Sequence, residues 1–416
     1  MMNIIAIILA VCLVGCSTPI EKPIEPVEPI SPVVSDNPIP EILSYKNVGF
    51  NEFDSSMISF IDEKKENENY MISPLSFKYA LGLSILGANG ETESQLYKAV
   101  GYDNFEEFEK LSNRMDILNK NFNEYNDSLL KQNWYSKEEI EDMKIDFSIA
   151  NSVWDVWGDM KDSYIKMAKE KLNADAFKTS SANASSDVNN WVNDKTHGLI
   201  PTILEDTPID LAAILVNTVN LKSSWFSEFV ESMNPINFTD VNGNIVKKEA
   251  INNTGNFDYY KDEDTELVIV QLNGGVNIAY VLGSTENILE KIENSKSDKE
   301  VRVEVPKMDI ETSLDKKELV DYLIERGAEL PFLPNADFSK LSDDVYIGDI
   351  IQKTKIKTDE KGLEAAAATA VLIVKNTAFI EKEEPIEFVA DKPFSFYVYT
   401  DINEVKDLMF YGEYVK

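Results

Sequence analysis

Histidine and cysteine are almost missing from this chain. It carries one histidine, His197, and two cysteines, Cys12 and Cys16. A Cys/His zinc cluster has too few ligands to form. Both cysteines fall in the first 16 residues, so the body has neither a disulfide framework nor a Cys–His dyad. A Ser-His-Asp hydrolase survives only with His197 as its base. Positive charge is scarce too: 40 Lys and Arg stand against 73 Asp and Glu, a net −33. That sign repels phosphates, so no nucleic acid partner is expected unless a local basic patch exists. There is no Gly-x-Ser-x-Gly elbow and no phosphate-cradling glycine loop. Acid pairs such as Asp262 and Asp264 lack the spaced ligands of a calcium loop, so no metal and no cofactor is expected. What is present is apolar material for a core: 43% of 416 residues, enough for two to three average domains or one large one.

The N-terminus accounts for both cysteines. Asn3 to Val14 is an apolar run of 12 residues, short for a transmembrane helix and suited to the core of a secretory signal. It ends in Leu13-Val14-Gly15-Cys16-Ser17, which resembles the bacterial lipobox. No Lys or Arg precedes it. The expectation is a lipoprotein signal peptide over 1–15, with Cys16 diacylated by palmitate-type chains. Residues 16–40 then form a proline-rich tether, with Pro19, Pro23, Pro26, Pro29, Pro32, Pro38 and Pro40. Extended at about 3.1 Å per residue, it reaches roughly 75 Å from a membrane. The location expected is a bacterial cell envelope, with the protein secreted across the inner membrane and lipid-anchored.

From residue 41 onward no linker, repeat or composition break appears, so 41–416 reads as one domain. Phe50, Phe53, Met57, Phe60 and Ile61 recur at helical steps. Helices are also expected over Leu75–Leu86, after Ser73-Pro74, and over Ser163–Leu172 and Ser186–Lys195. Strands are expected over Leu211–Leu221, Leu267–Leu272, Val276–Leu282, Val301–Val305, Asp344–Thr358, Phe394–Thr400 and Asp407–Val415. Pro306 interrupts one ladder, which Met308 and Ile310 resume, as at a bulge or edge. Helices first and strands later predict an α+β fold.

Catalytic patterns are weak. Ser-x-x-Lys occurs at Ser128/Lys131, Ser163/Lys166 and Ser313/Lys316, but the companion Lys-Thr-Gly is missing. His197, before Gly198, reads as a helix C-terminal residue. One segment is unusual: Asp359-Glu360-Lys361-Gly362-Leu363-Glu364-Ala365-Ala366-Ala367-Ala368-Thr369-Ala370. Propensity favours helix; its position between strand-like runs favours β, which would put Leu363, Ala365, Ala367 and Thr369 on one face. Loop, helix and strand all stay open at this point.

That segment resembles the hinge of the serpins, single-use traps for serine and cysteine proteases. Six further stretches resemble the same family in the same order: Tyr70 to Ser76; Asn189 to Val192 with Thr196 to Ile200; Leu215 to Lys222 with Trp225; Val303 to Met308; Ala336 to Ser339; and Ala390 to Phe394. The resemblance covers roughly 45 to 415. It implies a large mixed β-sheet, two smaller sheets, eight or nine helices and an exposed reactive loop. It also implies a monomer that inhibits serine, and possibly cysteine, endopeptidases as a suicide substrate, and is not itself an enzyme. The alternatives are a noninhibitory serpin acting as a surface binding module, and a surface serine hydrolase.

The resemblance assigns roles residue by residue. Glu360, Gly362, Leu363, Glu364, Ala365, Ala366, Ala367, Ala368 and Thr369 form the hinge; Ser73, Ser76, Asn189, Gln352 and Trp225 form the shutter and breach. Leu363, the first inserting position, is larger than the family's usual residue, which implies slower insertion. Gln352 stands where many members have histidine and is expected to bridge Ser76 and Asn189. Counting 17 residues from Glu360 gives a scissile bond at Asn376-Thr377. Lys375, one residue earlier, suits a trypsin-like pocket, and Val374 an elastase- or subtilisin-like one. The partners expected are therefore extracellular or periplasmic serine proteases of these types, and a membrane through the Cys16 anchor.

Overall fold

The computed structural model describes residues 46–133, 135–157, 159–205, 213–314, 316–343, 345–347, 350, 352–363 and 384–416. Among them are nine α-helices: α1 Glu52–Lys64, α2 Pro74–Gly87, α3 Gly90–Val100, α4 Glu106–Leu130, α5 Lys137–Met143, α6 Asp162–Leu172, α7 Ala184–Lys195, α8 Ile288–Glu293 and α9 Lys316–Glu325. The strands are β1 Tyr70–Ile72, β2 Asp146–Asp155, β3 Asp175–Lys178, β4 Ala213–Ser224, β5 Val230–Glu231, β6 Ile236–Thr239, β7 Ile245–Lys248, β8 Ala250–Gly255, β9 Asp258–Lys261, β10 Thr265–Gln271, β11 Val276–Gly283, β12 Val301–Pro306, β13 Asp309–Leu314, β14 Gln352–Lys357, β15 Gly362–Leu363, β16 Ile386–Val389, β17 Phe394–Ile402 and β18 Val405–Tyr414.

Three sheets organise these strands. One is six-stranded and antiparallel, ordered β1-β18-β17-β11-β10-β9. A second, β16-β12-β8-β5, is mixed, with β16 parallel to β12. The third joins β15-β4-β2-β3 to the β13-β14 hairpin through a bridge between Thr358 and Leu363. It too is mixed, since β2 runs parallel to β3 and β15 antiparallel to β4. A β6-β7 ribbon stands apart. This is the expected α+β architecture.

Helix α2 occupies the centre. Ser73 caps it by accepting from the Ser76 N–H, and Pro74 opens it where no backbone donor is needed. Thirteen of its residues are buried, including Leu75, Phe77, Leu81, Leu83 and Ile85. A helix apolar all round belongs between layers, not on a surface. The sheets carry the rest of the core, with Val268, Ile278, Tyr280, Val303, Phe388 and Phe396 fully buried.

One local expectation is corrected. Pro306 is not a bulge within a single strand. It ends β12, paired with Ala250, and the chain then leaves for β13 in another sheet. A residue without an N–H is a natural last rung. The strand expected over Asp344–Thr358 is confined, among described residues, to β14.

Candidate functional site

The hinge is built on a turn at the end of β14. Thr358 continues that strand: its N–H donates to the Met308 carbonyl and its hydroxyl oxygen accepts from the Met308 N–H, both at 2.9 Å. The chain then reverses. The Lys361 N–H donates to Asp359 Oδ1 at 2.8 Å, and the Asp359 N–H to the Gly362 carbonyl at 3.1 Å. Gly362 and Leu363 run back antiparallel to β4, opposite Ser224 and Ser223. The Leu363 side chain is buried, and the cavity of about 20 Å³ beside it is lined by Val219 and Leu221 of β4 and Ile356 of β14.

Trp225, just past β4, holds the turn from the other side. Its indole N–H donates to the Asp359 carbonyl at 2.8 Å and its backbone N–H to the Lys361 carbonyl at 2.9 Å. The Phe229 N–H donates to the Glu360 carbonyl at 3.2 Å. All three turn carbonyls are therefore occupied, as buried backbone requires. Charges complete it: Glu360 lies 3.2 Å from Lys307, and Lys361 3.2 Å from Asp142 of α5. Burial pushes the Glu360 carboxyl up, but its own backbone N–H and the Lys307 ammonium outweigh that and hold it below the ordinary range. Asp359 is raised by burial.

Below the turn lies a polar cluster at the start of α2. Gln352 receives the Ser73 N–H at 3.0 Å and donates to the Ser73 carbonyl at 2.9 Å, while the Ser73 hydroxyl donates to the Met409 carbonyl at 2.7 Å. Ser73 thus pins α2 to β14 and β18. From Ser76 a chain of side chains crosses the sheet: its hydroxyl donates to Asn217, whose amide donates to Asn151 at 2.7 Å, whose amide in turn reaches the Leu172 carbonyl at 2.8 Å.

These contacts correct the expected shutter. Gln352 bonds the backbone of Ser73, not the side chains of Ser76 and Asn189. Asn189 lies in α7 and clips the chain that follows, accepting from the Ile203 and Leu204 N–H groups at 2.8 and 2.9 Å and donating to the Leu204 carbonyl. The asparagine that meets Ser76 is Asn217. Its signal was present in the sequence: an amide inside an apolar strand must find a partner. Leu363, expected to be the first residue to insert, is already seated between β4 and Thr358. His197 sits past the end of α7 with φ +49° and pairs its imidazole with Asp146, which also accepts from the Asn220 amide at 3.0 Å. Glu364, Ala365 to Ala368, Thr369, Val374, Lys375, Asn376, Thr377 and Cys16 lie outside the described residues.

Comparison with known proteins matches this geometry to a family. The family model described as serpin (serine protease inhibitor) spans residues 49–416. The chain belongs to the serpin family, whose description is that of inhibitors rather than enzymes. A serpin-like protein of Thermococcus kodakarensis is 27% identical over 370 residues, 83% of this chain and 80% of its own. The leukocyte elastase inhibitor of Sus scrofa is 27% identical, covering 81% of this chain and 91% of its own. Among solved structures, the thermophilic serpin tengpin in its native state superposes with a TM-score of 0.67 at 28% identity, covering 92% of this chain and 96% of that one.

Proposed function

We propose that this serpin is inhibitory: a suicide substrate for serine endopeptidases that traps them by inserting its cleaved loop between β4 and β14 of the third sheet. The observation that carries this reading is the seat of Leu363. A leucine at the first inserting position is accommodated and buried, and the turn on which an inserted strand would pivot has its carbonyls paired. A protease attacking the loop forms an acyl-enzyme. Release of the loop end lets the residues after Leu363 follow it into the sheet. The 12 or 13 residues from Glu364 to Lys375 or Asn376, at about 3.3 Å each, would drag the bound protease roughly 40 Å, and catalytic geometry tolerates far less.

The bond attacked on this reading is Lys375-Asn376 for trypsin-like proteases, with Val374 serving elastase- or subtilisin-like ones and Asn376-Thr377 the position given by family spacing. Incubation with such proteases tests it. A complex that survives boiling in SDS supports a trap. Clean loop cleavage would mean a noninhibitory binding module, and turnover of ester or peptide substrates a hydrolase using His197. Mass spectrometry of the released C-terminal fragment assigns the bond, since a fragment starting at Asn376 identifies Lys375. The lipobox-like run supports a further part of the proposal: an envelope location through Cys16, with residues 16–40 as tether. Labelling with palmitate that is lost in Cys16→Ser tests the anchor.

A further inference from the structure

The short helix α5 touches the hinge, and nothing in the inhibitory reading requires it to. It is an exposed element with no buried residue, yet it is held in place at both ends. At its start, Ser136 and Glu139 form a reciprocal capping box. Just beyond its end, the Asn126 side chain of α4 grips Ile145, accepting from its N–H at 2.9 Å and donating to its carbonyl at 2.8 Å. Lys144 pairs with Glu141 at 2.7 Å. From this fixed frame Asp142 reaches Lys361 at 3.2 Å, with side-chain exposures of 22% and 14%. An ion pair between preorganised, largely covered groups is worth more than a surface pair, which pays to order both side chains.

We infer that Asp142 is a positioning residue for loop insertion, a clasp that keeps the hinge turn formed in the resting molecule. The inference rests on the proposed trapping function but concerns one contact within it. A new strand costs most at its first rungs, because the turn must be ordered before any ladder bonds form. Here Asp359, Glu360 and Lys361 are ordered in advance, with Gly362 and Leu363 as the first two rungs. Insertion after cleavage then starts from an existing nucleus. An acyl-enzyme not yet trapped hydrolyses if insertion is slow, so a looser turn diverts the inhibitor toward behaving as a substrate. The clasp acts on that partition and not on the first encounter.

Asp142→Asn tests this, since Lys361 belongs to the turn itself and is the less clean site. Two readouts are needed. The first is amide hydrogen exchange at Trp225 and Phe229, whose N–H groups donate to the Lys361 and Glu360 carbonyls. Exchange should rise about three- to ten-fold in the variant without any protease present. The second is the stoichiometry of inhibition of a trypsin-like protease, which should rise at least two-fold while the association rate corrected for that stoichiometry is unchanged. Asp142→Lys should exceed both effects, and adding Lys361→Asp should restore them, which excludes a folding defect. Unchanged exchange overturns the clasp. Raised exchange with unchanged stoichiometry, in a wild type that traps, overturns its role in insertion. If the wild type traps nothing while exchange rises in the variant, the inhibitory reading has failed and the clasp itself stands.

Discussion

Gly362 and Ser223 approach so closely that a methyl group on Gly362 would stand 2.1 Å from the Ser223 carbonyl oxygen and 2.7 Å from the Ser224 Cα. Both obstacles are backbone of β4, which no rotamer change relieves. Glycine is therefore required here by proximity. In Gly362→Ala the hinge must withdraw from the sheet or β4 must shift, at a cost of about 1–3 kcal/mol. We expect a lower urea midpoint for the intact protein and a stoichiometry of inhibition raised several-fold. A variant indistinguishable from wild type in both would mean that the Gly362–Leu363 pairing contributes nothing to function.

Gln352 is the second test. Its amide satisfies both backbone groups of Ser73, a residue with no exposed surface. Gln352→Leu keeps the volume but strands the buried Ser73 N–H, while the Ser73 carbonyl keeps the Phe77 N–H of α2, so the cost is about 1–3 kcal/mol. Gln352→His, able to make one of the two bonds, should fall between. Denaturant unfolding resolves this; equal midpoints for Leu and wild type would show that water replaces the amide.

How much of this was legible beforehand varies with the kind of signal. Helices α6 and α7 and strand β4 follow from periodicity, because one buried face repeats along each, whereas α2 and the central strands follow from unbroken apolar runs. The hinge segment could not be decided from propensity, since its alanines suit helix and its setting suits strand; Gly362 and Leu363 became β because β4 and Thr358 receive them. Asn189 was misplaced for a different reason. Asparagine bonds whatever backbone lies near, so only the fold distinguishes Asn189, which clips its own following chain, from Asn217, which faces Ser76. Helix α4 carries Phe108, Leu111, Met115, Leu118 and Phe122 at helical spacing, whereas α5 buries nothing and its capping box is its sole local sign. Its contact with Lys361 joins residues 219 apart and leaves no trace in local sequence.

Cleavage should raise heat stability. If the loop between Val371 and Thr377 is cut by any protease, the residues after Leu363 are free to extend β15, adding ladder hydrogen bonds and burying apolar side chains. We expect a substantially higher unfolding midpoint for the cleaved protein. Ala367→Glu should abolish the gain, because insertion would bury a charge at a cost of several kcal/mol, and should turn the inhibitor into a substrate with its fold intact. A heat-stable cleaved Ala367→Glu protein would sink insertion as the mechanism.

The last prediction concerns pH. Asp62, at the end of α1, accepts from the Tyr70 hydroxyl of β1. Across from it on β18 lies Glu413, itself bonded by the hydroxyls of Tyr411 and, at 2.6 Å, of Ser395 on β17. Burial first, and the Glu413 charge second, push the Asp62 carboxyl up to about 7; Tyr70 and Tyr411 pull the other way and Glu63 adds to the rise. Glu413 is also raised, by burial. The sign follows from proton counting. Between the ordinary Asp value of 3.8 and about 7 the folded protein holds a proton on Asp62 that the unfolded chain has lost. Stability from this group is therefore complete at acid pH and declines as pH rises, by up to about 1.4 kcal/mol per pH unit, until the folded carboxyl also ionises. Asp62→Asn keeps an acceptor for Tyr70 and cannot ionise. Urea midpoints at pH 5, 6, 7 and 8 should fall with pH in the wild type and fall less in the variant, which should be the more stable protein at pH 8. Parallel pH profiles for the two would show that Asp62 ionises in the folded state as readily as in the unfolded chain.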